Sequence, residues 1–328
     1  MVYTGGIVKR LDVIFEVCYQ VVVKQIDIDL FISIMNETLY MFDDIFWWSV
    51  PEGSYDLSIM AIVKNEAYIV EWIEYHLLVG VQYFYIYDNE STDGLKDRIE
   101  KYINEGIVTY VYYLGKPVQM QSYNDAIQKF KYETKWLAII DGDEYLLPME
   151  EEKSLVEILE EVKNNFINHK MRIAANVGAV GVNWRCYGTS NHKEKPQGLC
   201  IEEYNYRAQD EYFQNVHIKT IMNPRVVINM PDPHYVLMRK GWICVSDKGS
   251  TIPFKYFYDS QCTKLRINHY FSKSEEEFRN KIEKRGLPDG EHDRNVEQEL
   301  YEATVNCNEV YDDVMKKYVD EVKKRMGE

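Results

Sequence analysis

The chain has 328 residues, of which 46% are hydrophobic and 28% charged, a composition typical of folded globular proteins and not of disordered or fibrous ones. Its formal net charge of −15 argues against an extended nucleic-acid-binding surface, because phosphate backbones are bound by clustered lysines and arginines. The length suffices for one large α/β domain or for two ordinary domains.

The cysteines and the apolar segments predict a cellular location. The six cysteines are scattered and form no C-x-x-C pair, which is typical of a reduced setting. No secretory signal is recognisable at the start, and no apolar stretch reaches the roughly 18–20 residues that a membrane span needs. We therefore expect a cytoplasmic protein that is at most peripherally attached to the inner face of a membrane. The aromatic run Phe46–Trp48 could be such an attachment, although packing or an oligomer contact is the preferred interpretation.

Residues 57–141 alternate between short apolar runs and amphipathic segments. The pattern predicts strands at 57–63, 83–87, 107–112 and 136–140, and helices at 69–77, from Gly94 to about Asn104, and at 121–131. Such alternation implies a mostly parallel sheet with helices on both faces. In such sheets, ligands bind beyond the carboxyl ends of the strands.

Three polar clusters come directly after predicted strands. They are Lys64-Asn65-Glu66, Asp88-Asn89 and Asp141-Gly142-Asp143. Because parallel strands end at the same edge of a sheet, these clusters are expected to share one ligand-binding rim.

Beyond Pro148 the pattern is looser. It predicts a surface helix at 153–163, short strands at 172–177, 219–222, 226–229 and 264–267, a capping box at Ser274–Glu277, and a last helix over roughly 297–325. The charged helices after Ser274 are expected to form a solvated outer layer.

Asp141-Gly142-Asp143 is the strongest candidate for a metal site. It follows an apolar strand, and the central glycine allows a tight turn that aims both carboxylates at one point. Together with diphosphate oxygens, these hard ligands suit Mn²⁺ or Mg²⁺. The alternative is a solvated turn, and Asp27-Ile28-Asp29 shows how easily an acidic chain produces such a triplet. Asp88 is placed to accept hydrogen bonds from a nucleobase or ribose, or else to stabilise its own turn.

Several runs in this order resemble glycosyltransferase family 92 and the closely related family 2-like enzymes. The similarity covers roughly residues 57–285, and its motifs are specific as an ordered set. The runs are Ile62–His76, Gly80-Val81, Tyr85–Asp93, Gln121–Ala126, Asp141–Glu144, Tyr187–His192 and Asn268–Ser274.

The resemblance implies a GT-A fold, the Rossmann-like α/β fold of nucleotide-diphospho-sugar transferases, with a mostly parallel central sheet and C-terminal helices. It also implies a UDP-sugar donor, Mn²⁺ or Mg²⁺, inversion at the anomeric carbon, and transfer of a hexose, galactose being favoured, to a glycan or lipid-linked acceptor in surface polysaccharide or glycoconjugate synthesis. The chain would then divide into an N-terminal extension of uncertain structure (1–55), a nucleotide-sugar-binding half (56–150), an acceptor-binding half (151–272) and a C-terminal helical segment (273–328).

The resemblance also assigns individual residues. Asp141 and Asp143 would hold the metal and the donor phosphates, with Asp143 essential for catalysis. The donor pocket would be formed by Lys64, Asn65, Glu66 and Asp88, with Asn124 and Asp125 nearby.

A histidine late in the chain often completes the metal site in GT-A enzymes. His269 is the first choice and His234 the second, while a purely structural role is the alternative for either. His76 lies on the apolar face of the predicted helix 69–77, so we interpret it as a core residue.

Inverting transfer needs a base that takes the proton of the acceptor hydroxyl. Glu202 is the candidate, although Glu203 stands where relatives tend to carry arginine; Glu203 and Asp210 stay open as alternatives, as does a surface turn. Two other functions also remain open, namely a nucleotidyltransferase that uses the same acids and a non-catalytic carbohydrate-binding relative.

Overall fold

The structure is a computed structural model that describes residues 54–169, 175–259, 261–285 and 295–327. The predictions made for Asp27-Ile28-Asp29 and for Phe46–Trp48 lie outside these residues. In the part of the chain that is described, no helix has the length and apolar character required to cross a membrane.

The described strands lie mainly in one ten-stranded sheet. Their bounds are β1 Tyr55–Val63, β2 Tyr83–Asp88, β3 Val108–Tyr112, β4 Thr134–Ile139, β5 Glu144–Pro148, β6 Asn176–Cys186, β7 Tyr206–Arg207, β8 Ile218–Met222, β9 Val227–Asp232, β10 Tyr235–Met238, β11 Trp242–Val245, β12 Thr251–Ile252, β13 Leu265–His269 and β14 Val310–Tyr311. The sheet has the order β12-β11-β6-β8-β4-β1-β2-β3, and β13 pairs with both β5 and β6.

The described part of the chain also contains nine α-helices. Their bounds are α1 Ile69–Leu78, α2 Leu95–Arg98, α3 Glu100–Asn104, α4 Gln119–Phe130, α5 Leu155–His169, α6 Cys200–Glu203, α7 Glu275–Arg279, α8 Val296–Tyr301 and α9 Val319–Met326. Short 3-10 and π segments lie at Phe213–Val216, Asn280–Arg285, Glu302–Asn306 and Lys316–Tyr318.

The α/β fold class predicted from the sequence is confirmed. Strands β1, β2, β3 and β4 are parallel to one another, with Val63 beside Asp88 and Met60 beside Ile139. The antiparallel strand β8 joins β4 to β6, so strands from both predicted halves of the chain share one sheet.

Strand β1 is buried on both faces, as expected for the centre of a parallel sheet. Its alternate residues Ile59 and Ala61 belong to the core cluster beneath α1 and α5, whereas Met60 and Ile62 belong to the cluster beneath α4. Alternate side chains of β1 are thus buried in core clusters on opposite faces of the sheet, which explains why the segment is apolar at nearly every position.

Two local predictions about side chains are confirmed. The Ser274–Glu277 capping box is present, with the Ser274 hydroxyl accepting from the Glu277 amide. His76 is buried, donates from Nδ1 to the Trp72 carbonyl and accepts the Leu146 amide at Nε2, and burial lowers its pKa to about 3.

The prediction of one last helix over 297–325 is wrong. Helices α8 and α9 are separated by β14, which pairs with β7. Asp312 then accepts hydrogen bonds from Arg207 and Arg266 at 2.6 and 3.0 Å. These long-range contacts outweigh the local helical preference of a charged segment.

Candidate active site

A cavity of about 440 Å³ opens at the edge where β1 and β4 end. One side, the charged wall, is formed by Lys64, Glu66, Asp141, Asp143 and Lys281. The other side, the histidine wall, is formed by Trp184, His217, His234 and His269. The rim predicted from the three polar clusters is therefore a real concavity, although only two of the clusters line it.

Asp141 is held by two side chains from neighbouring elements. Its Oδ2 accepts from the Lys219 ammonium at 2.8 Å, and its Oδ1 accepts from the Tyr123 hydroxyl at 2.9 Å. Lys219 reaches Asp141 because β8 runs antiparallel beside β4. Burial alone would raise the pKa of Asp141, but Lys219 outweighs it and keeps that pKa below the ordinary value.

Asp143 lies between a lysine and a histidine. Its Oδ2 accepts from the Lys281 ammonium at 2.5 Å, and its Oδ1 lies 3.7 Å from Nε2 of His269. The pairing of β13 with β5 brings His269 to this point. Burial would raise the pKa of Asp143, but the charges of Lys281, His269 and Lys273 hold it well below its usual range.

Glu144 lies behind this pair and is fully buried. Its Oε2 accepts the Asp141 amide at 2.9 Å and lies 3.4 Å from the Lys219 ammonium. Burial raises the pKa of Glu144. Burial alone would lower the pKa of Lys219, but the carboxylates of Asp141 and Glu144 outweigh it and raise that pKa. The single positive charge of Lys219 therefore pairs with two acids. Of the two, Glu144 binds a proton more readily than Asp141 does.

A second cavity of about 430 Å³ adjoins the first and shares Glu66, Asp143 and Lys281 with it. Glu66 accepts from the Lys273 ammonium at 2.5 Å. Asn65 also lines this cavity, and its side-chain oxygen accepts the Thr92 amide at 2.7 Å. The cluster Lys64-Asn65-Glu66 is thus divided between two adjacent pockets.

The histidine wall is built around the Trp184 ring. The rings of His269, His234 and His217 lie 4.3, 4.9 and 5.0 Å from it. His234 donates from Nδ1 to the Ile218 carbonyl, and His217 donates from Nδ1 to the Gln214 carbonyl, both at 2.9 Å. Each of these two rings consequently keeps Nε2 as an acceptor. Burial lowers the pKa of His234 to about 3, lowers that of His269 to about 4 and also lowers that of His217.

The model of glycosyltransferase family 92 matches residues 58–304 of this chain, an interval that contains both walls of the cavity. The chain belongs to glycosyltransferase family 92.

Curated members of family 92 from plants are similar to this chain. A protein from Arabidopsis thaliana is 25% identical over 57% of this chain and 32% of its own length. Proteins from Ricinus communis and Oryza sativa subsp. japonica are 25% and 24% identical, over 71% and 70% of this chain and 38% and 35% of their lengths. The matches thus span about a third of these relatives. Among solved structures, HddC from Yersinia pseudotuberculosis aligns at 12% identity and a TM-score of 0.27, over 58% of this chain and 90% of that one.

Three of the predicted donor-site residues line neither cavity. Asp88 accepts from the Ser91 amide and the Tyr110 hydroxyl, which matches the turn-stabilising alternative. Asn124 clamps β9 by bonding both backbone groups of Met230. Asp125 accepts a hydrogen bond from the Tyr87 hydroxyl and forms an ion pair with Lys129. All three side chains therefore make hydrogen bonds or ion pairs that stabilise the local structure. Their spacing in the sequence does not distinguish such a structural role from donor binding.

The structure does not bring the candidate base Glu202 to the cavity. Its carboxylate lies 2.6 Å from the Lys323 ammonium, whose hydrogen bond lowers the Glu202 pKa. Glu203 lies 3.5 Å from His192, and Asp210 pairs with two arginines, Arg185 and Arg207. In this structure α6 faces the C-terminal helix α9 through Lys323, so Glu202 lines neither of the two cavities.

Three lysines that pair with the acids of the site, Lys219, Lys273 and Lys281, are absent from the residues predicted from the sequence. Lys219 lies inside the apolar strand Ile218–Met222, and its side chain is fully buried. A lysine is almost never buried without a partner, so its position in an apolar strand was the available signal. Lys273 precedes α7 and Lys281 lies in the charged segment after it, and neither position has such a signal.

Asp143 and His269 are the residues best placed to hold a divalent cation. They approach within 3.7 Å without a hydrogen bond, and both line the cavity. Among the described residues, no group of three His, Cys, Asp or Glu side chains is arranged to hold a metal. This donor set fits an ion such as Mn²⁺ or Mg²⁺ that is bound by one or two protein side chains and completed by water and substrate phosphates.

Proposed function

We propose that this chain transfers a hexose, with galactose favoured, from a UDP-sugar to a glycan or lipid-linked acceptor in surface polysaccharide or glycoconjugate synthesis. The reaction is metal-dependent and proceeds with inversion. The observation that carries the proposal is the pair of ionised carboxylates, Asp141 and Asp143, on the wall of a cavity inside the family 92 region.

The charged wall suits the donor diphosphate. Asp143 and His269 would hold the metal, and a divalent cation supplies Lewis-acid neutralisation of the charge that develops on the leaving nucleoside diphosphate. Lys219 keeps Asp141 ionised at neutral pH. Lys64 and Lys281 lie on the same wall and add positive charge for the phosphate oxygens.

The histidine wall suits the acceptor. The Nε2 atoms of His217 and His234 are free of the backbone bonds made by Nδ1, so either can accept a hydrogen bond from an acceptor hydroxyl. We infer that His217, in place of Glu202, takes the proton of that hydroxyl as the new glycosidic bond forms, because a pKa lowered to about 3 makes His234 a weak base near neutral pH. Trp184 contacts both rings and offers an apolar contact for a sugar ring.

Calorimetric titration of UDP with and without Mn²⁺ tests the donor half of the proposal. We expect tighter UDP binding in the presence of Mn²⁺, and loss of the difference in the Asp143→Asn variant. Asp125→Asn is the matched control, because Asp125 lies outside both cavities. Equal UDP binding with and without the metal would contradict the proposal.

A second assay separates the alternative functions. UDP-sugars are screened for Mn²⁺-stimulated donor hydrolysis, and the phosphate product is identified. Release of UDP supports glycosyl transfer, release of pyrophosphate with nucleotide transfer indicates a nucleotidyltransferase, and the absence of any turnover together with metal-independent sugar binding indicates a non-catalytic relative.

A further inference from the structure

Four aromatic side chains form a strip on the surface beside the histidine wall. This aromatic strip consists of Tyr235, Phe254, Tyr256 and Tyr258. Successive ring centroids are 5.2, 6.4 and 6.5 Å apart. Phe254 is 50% exposed and Tyr258 is 79% exposed, although rings of this size are normally buried. A contiguous exposed aromatic surface of this kind commonly marks an interaction site.

The backbone holds these rings outward. The Phe257 amide donates to the Val216 carbonyl at 2.8 Å, and Asn183 on β6 donates its side-chain amide to the Phe257 carbonyl at 3.0 Å. Phe257 itself packs against the core beneath α4. With Phe257 anchored inward, Tyr258 remains largely exposed and Tyr256 partly exposed.

The aromatic strip is continuous with the histidine wall. The Tyr256 ring lies 4.8 Å from the His217 ring, and the backbones of these two residues form an antiparallel bridge. The strip is joined to the histidine wall a second time through the backbone, because Tyr235 directly follows His234 in the chain. A ligand that leaves the cavity on the histidine side therefore meets the strip.

We propose that the aromatic strip binds an extended acceptor glycan, with successive sugar units packed on successive rings. This inference rests on the proposed glycosyl transfer and deepens it, because it makes the acceptor an oligosaccharide or polysaccharide and not a single sugar. The apolar C–H face of a pyranose ring packs against an aromatic face, and hydroxyl-rich edges find polar neighbours. Here those neighbours are the ion pairs Lys255 with Asp232 and Lys248 with Asp259.

The same ion pairs argue against a membrane surface as the occupant. Each pair is neutral and so offers no net positive charge to anionic headgroups, and the overall charge of −15 would repel them. The rings are mostly tyrosines, and their hydroxyl groups suit a hydrated ligand better than a hydrocarbon layer.

Binding of soluble oligosaccharides of increasing length tests the proposal. The full chain is titrated with galactose and glucose, and with β-linked galactan and glucan oligosaccharides, and its sedimentation is measured with phosphatidylcholine and phosphatidylglycerol vesicles. The variants are Phe254→Ala and Tyr258→Ala, which replace exposed rings and leave the cavity unchanged. Tyr258→Phe keeps the ring, and Tyr301→Ala removes a 55% exposed tyrosine on α8 as the matched control.

We expect affinity to rise with oligosaccharide length, and each alanine variant to weaken the longer ligands by about five- to tenfold, as is typical for removing an aromatic contact. Tyr258→Phe and Tyr301→Ala should bind like the wild type, and Mn²⁺-stimulated donor hydrolysis should be unchanged in all four. Affinity that does not depend on length or on the two rings overturns the proposal, and vesicle binding that the alanine variants abolish assigns the strip to a membrane instead. Length-dependent glycan binding without any donor hydrolysis would retain the strip as a glycan site and reject the proposed transferase function.

Discussion

The two walls of the main cavity stabilise buried polar groups in different ways. On the charged wall, carboxylates pair with lysines, and the pKa values of Asp141 and Asp143 are lowered. On the histidine wall, His217 and His234 donate to backbone carbonyls, and burial lowers their pKa values, so both rings are neutral at neutral pH. The charged wall therefore presents ionised carboxylates and lysines that suit a cation and a diphosphate. The histidine wall presents neutral hydrogen-bond acceptors and aromatic faces that suit a sugar.

The largest expected effect comes from removing Lys219, the buried lysine that pairs with Asp141 of the charged wall and with Glu144. Lys219→Met leaves Asp141 and Glu144 without their shared cation in a buried position, so we expect the free energy of unfolding to fall by about 3–5 kcal/mol. Denaturant unfolding measures the change. Lys281→Met is the comparison, because the Lys281 side chain is 19% exposed and its loss lets water reach Asp143.

Adding Asp141→Asn to Lys219→Met sharpens this experiment. The second substitution removes one of the two unpaired acids, so it should restore part of the lost stability. If Lys219→Met is as stable as the wild type, the lysine does not neutralise the acids and the contrast between the walls disappears.

The second effect is on turnover. Asp143→Asn keeps the shape of the side chain but removes a charged metal ligand, so we expect turnover to fall by about a hundred- to a thousandfold, the range found for losing one preorganised electrostatic group. The free energy of unfolding should also fall, because a neutral amide loses the charge pairing with Lys281 that lowers the pKa of Asp143, so turnover is compared at a temperature where both proteins are folded. Steady-state kinetics at saturating Mn²⁺ measures the loss, and wild-type turnover in the variant would remove Asp143 from the site.

A third experiment distinguishes the two histidines. If His217 accepts the proton of the acceptor, its replacement by glutamine should lower transfer by about a hundredfold, the lower end of the range for a general base. Replacement of His234 should have a smaller effect, because it only contacts the sugar. UDP affinity in the presence of Mn²⁺ should be unchanged in both His217→Gln and His234→Gln. Two fully active variants would exclude both rings as the base.

The sequence predicted the charged wall better than the histidine wall, for a physical reason. Asp141 and Asp143 follow a regular buried strand, so strand direction alone locates them at the ligand-binding edge. His217, by contrast, reaches the cavity through the pairing of β8 with β6, a contact between distant segments that no local pattern specifies. The same limitation applies to Glu202, because no local pattern indicates that its partner is Lys323, 121 positions further along the chain.

The smallest expected effect concerns Glu71, a buried carboxylate that is held by backbone amides. It accepts from the amides of Cys200 and Ile201 and from the Tyr145 hydroxyl. Without a directly paired lysine, burial dominates and raises its pKa from 4.5 to about 7, the opposite direction from Asp141 and Asp143. The comparison of Glu71 with Asp141 and Asp143 thus shows how far a paired lysine lowers the pKa of a buried carboxylate.

The raised pKa of Glu71 makes stability depend on pH. Between pH 4.5 and about 7 the folded state holds a proton that the unfolded state has lost, so the free energy of unfolding falls as the pH rises. Glu71→Gln cannot titrate, and its stability should fall less, by about 2 kcal/mol, than that of the wild type between roughly pH 5 and 7. The variant will be less stable at low pH, because the NH₂ group of glutamine faces a backbone N–H and two donors cannot form a hydrogen bond. The measured quantity is therefore the slope of stability against pH, and not the absolute stability. Parallel slopes in denaturant unfolding would mean that Glu71 is ionised throughout, and that its amide donors replace a lysine as effectively as Lys219 serves Asp141.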